Sequence, residues 1–466
     1  MSKRILRLLL VVALALGLAG CPLNQNQTII NRYENGLSTN EQVNKVYEIL
    51  NENYYQKIPL NLARIDSLDE FFDYVDPYTF LFEGGTKQIE IGDSYYGIGL
   101  TLQDHSDGLF IKEINYGVNL DTDIFVGDII FSVEDVTLKD LEFADKVELL
   151  KKGPGTRINL RLIRFKRLIS ATVEIVEVPY QSVVYKNDNG VGVIKINRFA
   201  EKTPSLFKSA LIELENDNIS SLIIDVRDNG GGYLLSVEGI LENFLTGEKP
   251  YIYLLNVKKN IIMPSYPKAG TVKKPYPIYV LVNQNSASAS EILAGTLQKN
   301  KYKIIGETTY GKDVYQVSYP MPTPLFPENT YLNYTQGYWQ FADGTTAKGG
   351  IKPDIYMKDT GVKTLYYPVL FEEYKLGDSS PYISVYQYLI SRTTNQVYEP
   401  GLFDQVFQDM VNTYQQENGL PETGILDEAT LKHLIIFYRN MMRDSNNDNL
   451  LNSAIEYARN AIDSDQ

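Results

Sequence analysis

Residues 221–233, SLIIDVRDNGGGY, join an apolar run that is typical of a buried strand to a turn of three glycines, Gly230-Gly231-Gly232. Where such a turn leads into a helix, its backbone N–H groups can hold a phosphate or a developing oxyanion. A phosphate loop would need Lys-Ser or Lys-Thr after the glycines, and Tyr233-Leu234 supplies neither. The stretch therefore predicts an oxyanion site, and a flexible glycine connector is the alternative.

The sequence around this turn alternates strand and helix signals from about residue 190 to 355. We predict strands at 191–199, 221–227, 278–283 and 302–307, and helices at 204–216, 234–245 and 288–298. Such alternation indicates an α/β core in which helices cross between parallel strands. In these sheets functional groups gather at the carboxyl ends of the strands.

A second predicted strand end, residues 282–291 (VNQNSASASE), turns into a helix through small residues. This arrangement can expose a serine hydroxyl beside free N–H groups at the start of the helix. Ser288 with Glu291 three positions later also matches a capping box, a purely structural device. From this stretch by itself both interpretations stay open.

Few residues in the chain could act as the base for such a serine. The two histidines, His105 and His433, lie beside a turn and on an apolar helix face, where neither is expected to serve. A neutral lysine amine can replace imidazole, provided that burial brings its pKa from about 10.4 to about 7–8. Lys312, within GETTYGKDVYQ (residues 306–316), is the candidate, with an ordinary surface lysine as the alternative.

Composition excludes several other kinds of chemistry. The 466 residues carry 44 Lys and Arg against 58 Asp and Glu, a formal net charge of −14, so a nucleic acid is not an expected partner. One cysteine and two histidines cannot build a Cys/His zinc or iron–sulfur site. We therefore predict neither a metal nor another cofactor.

The N-terminus has the pattern of a secreted, lipid-modified protein. Residues 1–20 combine a basic start with an apolar run too short to span a bilayer, which predicts a signal peptide. Leu18-Ala19-Gly20-Cys21 resembles a bacterial lipobox, which implies lipid attachment at Cys21; a plain signal peptide is the alternative. The polar residues 21–38 suit a tether. We expect an extracytoplasmic protein that a lipid anchors to the membrane.

Two further regions precede the α/β core. Residues 39–93 show helical spacing of apolar residues, with Pro77 ending the helical segment. Residues 94–178 read as short strands with a helix at 141–150. Within them, the segments 96–100 (YGIGL) and 126–130 (VGDII) resemble a PDZ domain of the circularly permuted bacterial kind.

A PDZ domain presents backbone N–H groups to a terminal carboxylate while the peptide adds a strand to the sheet edge. That resemblance implies a carboxylate-binding loop made of Gly97, Ile98, Gly99 and Leu100. Glycine is needed there because the backbone must approach the peptide closely. An ordinary pair of hairpin glycines is the alternative.

Taken together, the chain resembles the C-terminal processing peptidases, also called tail-specific proteases, over about residues 39–355. The resemblance implies a crotonase/ClpP-like core over 179–360 and a Ser-Lys endopeptidase that selects proteins by their C-terminal tails. Ser288 would be the nucleophile, Lys312 the general base, and Gln316 the residue that orients it. The backbone N–H of Ala289 and a glycine of the Gly231-Gly232 pair would hold the oxyanion.

This sequence departs from the family pattern at two places near the base. Asp313 stands where glycine is usual, and its carboxylate would favour the charged form of Lys312. The interval from Ser288 to Lys312 is also one residue shorter than usual. In a straight strand Lys312 and Gln316 would lie roughly 13 Å apart, so we predict that the chain turns after Gly311.

The remaining residues, 361–466, read as helices. Within about 403–440, the motif YQQENGLPETGILDEAT resembles a peptidoglycan-binding-like module. The resemblance implies contact with peptidoglycan, whereas helix packing or formation of a homodimer would explain the same pattern. Two function classes follow for the whole chain: a tethered peptidase, and a non-catalytic PDZ adaptor at the cell envelope.

Overall fold

The structure is a computed structural model of the chain. It describes residues 39–59, 65–83, 94–114, 124–150, 152–179, 181–247, 249–267, 273–360, 370, 372–392 and 399–464. The predicted signal peptide, Cys21 and the tether lie outside these residues. Among the helices described, none is long and apolar enough to cross a membrane.

The helices and strands are numbered in chain order. The helices are α1 (Thr39–Asn53), α2 (Leu68–Phe72), α3 (Phe143–Glu148), α4 (Thr203–Asn216), α5 (Leu234–Leu241), α6 (Ala289–Lys299), α7 (Pro381–Ser391), α8 (Gln405–Glu417), α9 (Glu428–Arg443) and α10 (Asn449–Ser464). The strands before the core are β1 (Phe80–Glu83), β2 (Ser94–Gly97), β3 (Leu100–His105), β4 (Gly108–Ile114), β5 (Ile129–Val133), β6 (Val136–Thr137), β7 (Arg157–Arg164), β8 (Arg167–Glu174) and β9 (Val176–Pro179). Those that follow are β10 (Val183–Asp188), β11 (Val191–Ile196), β12 (Ser221–Asp225), β13 (Ile252–Asn256), β14 (Ile261–Ser265), β15 (Ile278–Val282), β16 (Lys303–Gly306), β17 (Val314–Pro320), β18 (Thr330–Phe341) and β19 (Ile355–Tyr356).

The chain forms two compact units. The first takes its described residues from Met1–Ser94, Tyr180–Lys358 and Ser453–Gln466, and the second from Tyr95–Pro179 and Asp359–Asn452. The β-rich region and most of the C-terminal helices therefore share one unit, although the sequence presents them as separate regions. The predicted C-terminal region 361–466 is divided between the two units.

The first unit contains the predicted α/β core. Its sheet has the order β10-β11-β12-β15-β16-β19, in which β10 is antiparallel to β11 and the other neighbours are parallel. Every residue of β12 and β15 is buried, as expected for parallel strands covered on both faces. The carboxyl ends of these adjacent strands lie at one sheet edge, where the two turns singled out from the sequence follow them.

A second sheet in this unit corrects part of the sequence interpretation. Its order is β1-β18-β13-β14, and β17 also pairs with β18. Residues 80–83, within the region 39–93 described from sequence as helical, form strand β1 after the stop predicted at Pro77, because β18 offers them a pairing edge. Helices α1 and α2 pack with this sheet through an apolar cluster that includes Val46, Phe71 and Leu332.

In the second unit, strands β3-β4-β5-β7-β8 form the sheet predicted for residues 94–178. The VGDII segment acts structurally, because Asp128 is fully buried and pairs with the buried Arg164 at 2.6 Å. The Asp128 carboxylate also accepts the Phe125 N–H. A buried carboxylate needs such partners, since an unpaired buried charge is strongly destabilising.

Several residues of the motif at 414–430 have structural roles in packing the C-terminal helices. Gln415 is fully buried, and its amide donates to Thr423 Oγ1, Thr430 Oγ1 and the Ile425 carbonyl. Asp427 caps α9 by accepting the Thr430 N–H. His433 hydrogen-bonds Tyr414 at 2.6 Å. These side chains stabilise the fold of the helices.

Candidate active site

Two hydrogen bonds join the turn after β12 to the turn after β15. Ser286 Oγ donates to the Val226 carbonyl at 2.8 Å, and Ser290 Oγ donates to the Asn229 carbonyl at 2.7 Å. Both hydroxyls are fully buried and engaged in the structure. Of the three serines in SASAS, Ser288 is the one that is only half-buried. It is therefore the serine placed to meet a ligand.

Ser288 has an unusual backbone conformation. Its φ is +55° and its ψ is −111°, immediately before α6 begins at Ala289. A residue other than glycine pays a conformational cost at positive φ, and such residues concentrate at functional sites. A sharp strand-to-helix turn of this kind projects a hydroxyl outward beside the first N–H groups of a helix.

The glycine turn lies directly against this serine. Gly231 has a φ of +114°, and a Cβ built on it would lie only 3.0 Å from Ser288 Cβ and 3.1 Å from the Ala289 nitrogen, so a side chain there would be strained. The Gly231 N–H donates to Asn229 Oδ1 at 2.9 Å. Within the described part of the chain, the N–H groups of Gly232 and Ala289 donate to no protein group. Of the predicted glycine pair, Gly232 thus has the free donor.

An ion pair stiffens the strand that leads into the glycine turn. Arg227 donates from its guanidinium to both oxygens of Asp225, at 2.9 and 2.7 Å, and both side chains are buried. Burial would raise the pKa of the Asp225 carboxyl, but the Arg227 charge holds it below its usual value. The pair fixes the direction in which the chain leaves β12.

Glu291 connects the serine turn to the segment of the predicted base. Its fully buried carboxylate accepts the N–H groups of Ser288 and Lys312 on Oε2, at 2.8 and 2.9 Å. Oε1 accepts the Thr309 hydroxyl at 2.7 Å and the Gly311 N–H at 2.6 Å. Burial raises the pKa of the Glu291 carboxyl, and these four hydrogen bonds act in the opposite direction.

A capping box therefore accounts for only one of the four hydrogen bonds that the Glu291 carboxylate accepts. The carboxylate does reach back to the Ser288 N–H as a capping box requires. Its other bonds hold residues about twenty positions further along the chain, which no local capping motif does. The sequence pattern indicated the cap and missed the connection to Lys312.

The Lys312 residue is half-buried, and its Nζ lies over the ring of Tyr78, 4.1 Å from the ring centroid. Tyr78 comes from the turn after α2, where Asp76 accepts the Tyr78 N–H and the Thr79 hydroxyl. An aromatic face attracts an ammonium group, so this contact favours the charged form of the lysine. Helical spacing around residues 68–78 gave no sign of this contact.

Gln316 lies on strand β17, and its amide donates to Thr335 Oγ1 on β18 at 3.1 Å. Residues 314–316 belong to β17, whereas residues 311–313 lie outside any helix or strand, so the turn expected after Gly311 stays a prediction. Pairing with β18 keeps the segment extended, apart from a register shift between Tyr315 and Gln316.

The other predicted residues lie elsewhere. Gly97, at the end of β2, is followed by Ile98, Gly99 and the first residue of β3, Leu100, all in the second unit. Gly99 has a φ of +70°, as a turn glycine does. Across the described residues, no group of His, Cys, Asp and Glu is arranged to hold a metal ion.

Comparison with known proteins identifies the class. Residues 190–357 match the profile of "Peptidase family S41", and residues 383–434 match "Putative peptidoglycan binding domain". A "Probable CtpA-like serine protease" of Staphylococcus aureus (strain bovine RF122 / ET3-1) is 30% identical over 416 residues, which are 86% of this chain and 82% of that protein. The fold and these matches define a serine-type peptidase with an α/β core. The chain belongs to peptidase family S41.

Two further similarities accompany these matches. The "Carboxy-terminal processing protease CtpB" of Bacillus subtilis (strain 168) is 29% identical over 431 residues, 89% of this chain and 88% of that protein. Among solved structures, a "photosystem II D1 C-terminal processing protease" is 18% identical with a TM-score of 0.47, covering 69% of this chain and 94% of that one. The peptidoglycan-binding match, residues 383–434, begins and ends earlier than the 403–440 expected from the motif, and it includes most of α7.

We predict that Glu291→Gln lowers kcat by about 10²-fold while KM changes little, because a displacement of about 1 Å between reacting groups costs that much. A Gln NH₂ would face two of the four donors that the carboxylate now accepts. The measurement is steady-state cleavage of casein, with Glu213→Gln on the exposed side of α4 as the control. Wild-type kcat in a folded Glu291→Gln protein would contradict the positioning role.

The contact between Tyr78 and Lys312 can be tested by pH dependence. Removing the ring with Tyr78→Leu should let the amine become neutral at lower pH, which shifts the acidic limb of the pH–rate profile down by about half a unit to one unit. Tyr78→Phe keeps the ring and should leave the limb in place. Identical profiles for Leu and Phe would show that the ring does not act on the ammonium.

Proposed function

We propose that this peptidase cleaves proteins with a Ser-Lys pair, in which Ser288 is the nucleophile and Lys312 the general base. The observation that supports this most is the Glu291 carboxylate, which holds the N–H groups of both residues at once. The strained, half-buried Ser288 lies beside two free backbone donors, as a nucleophile requires.

The reaction would begin with attack of Ser288 Oγ on the scissile carbonyl carbon, while the hydroxyl proton passes to the neutral Nζ of Lys312. The resulting oxyanion would be stabilised by the N–H groups of Ala289 and Gly232. Lys312 would then return the proton to the leaving amine, which breaks the C–N bond and leaves an ester on Ser288. Water, activated by Lys312, would hydrolyse the ester.

The roles of Tyr78 and Gln316 follow from this scheme. The Tyr78 ring favours the ammonium, so it would stabilise Lys312 at the moment when it has taken the serine proton. Gln316 would orient the amine after exchanging its hydrogen bond with Thr335. Asp313 would add a second influence towards the charged form and limit activity at low pH.

We further propose that residues 94–178 act as a PDZ domain and that the core is of the crotonase/ClpP type. Strand β3 lies at the edge of its sheet and follows directly on Gly97, Ile98 and Gly99, so a peptide could add there as a strand. Lys146 of α3 is buried and bonds Asp104 Oδ1 and the His105 carbonyl, which fixes the helix beside β3. The substrates would be proteins with accessible C-terminal tails.

The location would be the cell envelope, outside the cytoplasm. The peptidoglycan-binding match supports envelope association, and the Leu18–Cys21 pattern supports a lipid anchor in the membrane. Because the buried Gln415 network uses the motif residues for packing, glycan contact would rest on other side chains of these helices. A homodimer stays an alternative use for the same helices.

The assay that separates a peptidase from an adaptor is cleavage of unfolded casein. We expect Ser288→Ala and Lys312→Ala each to lower kcat by at least about 10²-fold and by up to about 10⁶-fold, the range for loss of a base or a nucleophile. Ser205→Ala and Lys208→Ala, on the exposed side of α4, are the matched controls. Full activity in the Lys312→Ala protein would refute the dyad and favour the adaptor.

Recognition of tails can be tested on the substrate side. An unfolded reporter with a free C-terminus should have a KM about tenfold lower than the same reporter with a C-terminal amide, since hydrogen bonds to a charged group contribute about 1.5–3 kcal/mol. N-terminal acetylation of the reporter is the control and should leave KM unchanged. Equal KM values for acid and amide would show that no carboxylate is bound.

A further inference from the structure

The hairpin of β13 and β14 has an unusual surface. Its turn and second strand, Val257 to Pro264, form eight consecutive exposed residues. Ile261 and Ile262 are 46% and 60% exposed, and Met263 is 38% exposed. Water-exposed apolar side chains in such a cluster mark a surface that binds something.

The same part of the chain is locally basic in an acidic protein. From Lys249 to Ser290 there are six lysines and no Asp or Glu, although the whole chain has 58 acidic residues in 466. At that frequency, a stretch of this length would be expected to carry about five carboxylates. Two of the six, Lys258 and Lys259, lie in the hairpin turn next to Ile261 and are exposed.

This combination argues against pairing with another strand. Strand β14 is the outer strand of its sheet, and Pro264 within it has no N–H to donate, a feature that protects sheet edges from strand addition. If this patch paired with the same patch on a second copy of the chain, the isoleucines could pack but Lys258 and Lys259 would face lysines of like charge, which disfavours that contact.

We propose that this hairpin is a membrane-docking element, which inserts Ile261, Ile262 and Met263 into the interface of an anionic bilayer while Lys258 and Lys259 contact lipid phosphates. Apolar side chains at the headgroup boundary combined with lysines are what interfacial binding requires. Tyr266, 47% exposed, is of the type enriched at membrane interfaces. The proposal concerns a surface that the peptidase chemistry does not use.

The test is depth-dependent fluorescence of the full chain on vesicles. Ile261→Trp places a reporter on the hairpin, and Ile212→Trp on α4 is the matched control because both isoleucines are 46% exposed. The native Trp339 is buried and adds the same background to both. With brominated lipid in phosphatidylglycerol vesicles, we expect emission of the hairpin reporter to fall about twofold and that of the control to stay unchanged.

The contribution of charge is tested in the same assay. Lys258→Glu with Lys259→Glu should abolish the quenching, whereas Lys301→Glu with Lys303→Glu, the same change of charge elsewhere in the unit, should not. Vesicles of phosphatidylcholine alone should give little quenching, because they lack the anionic headgroup. Casein cleavage without vesicles should be the same in all these proteins.

Three results would overturn the proposal. One is quenching of the hairpin reporter no greater than that of the Ile212→Trp control. Another is equal quenching on phosphatidylglycerol and phosphatidylcholine, which would remove the role of the lysines. The third is a blue shift of the hairpin reporter that grows with protein concentration without vesicles, which would assign the patch to a second copy of the chain. Each would leave the peptidase assignment intact.

Discussion

One buried carboxylate, Glu291, holds together the two segments that carry the proposed Ser288 and Lys312 pair. Glu291 is on α6, yet three of its four hydrogen bonds reach the segment from Thr309 to Lys312. A buried carboxylate without donors would be strongly destabilising, so these bonds are needed for folding as well as for alignment. The distance between the serine turn and the base segment is consequently set by hydrogen bonds of 2.6–2.9 Å.

The surrounding serines and glycines support the strained conformation of Ser288. Ser286 and Ser290, on either side of it, each donate to a carbonyl of the neighbouring turn. Gly231 allows that turn to approach within van der Waals contact of the strained residue. The buried hydrogen bonds of Ser286 and Ser290 thereby offset the conformational free energy that Ser288 loses at positive φ.

The Ser-Lys proposal also requires a lysine that is partly withdrawn from water. Lys312 is half-buried over the Tyr78 ring, so its amine contacts an aromatic face. A ring that favours the ammonium makes proton removal harder at rest and proton acceptance easier during attack. The balance between these effects, together with the Asp313 carboxylate, would set the pH range in which the enzyme works.

Local sequence determined the class of core and the limits of its chemistry. The strands at 221–225 and 278–282 are buried on both faces, and the scarcity of cysteine and histidine left lysine as the candidate base. Tertiary contacts determined the rest. Pairing with β18 places Gln316 in a strand, and folding brings Tyr78 to Lys312. The Gly231 N–H is bonded to Asn229 Oδ1, which leaves Gly232 as the free donor of the pair among the residues that the structure describes. Periodicity and turn residues report on a few neighbouring positions, whereas these contacts join segments that only the folded sheet brings together.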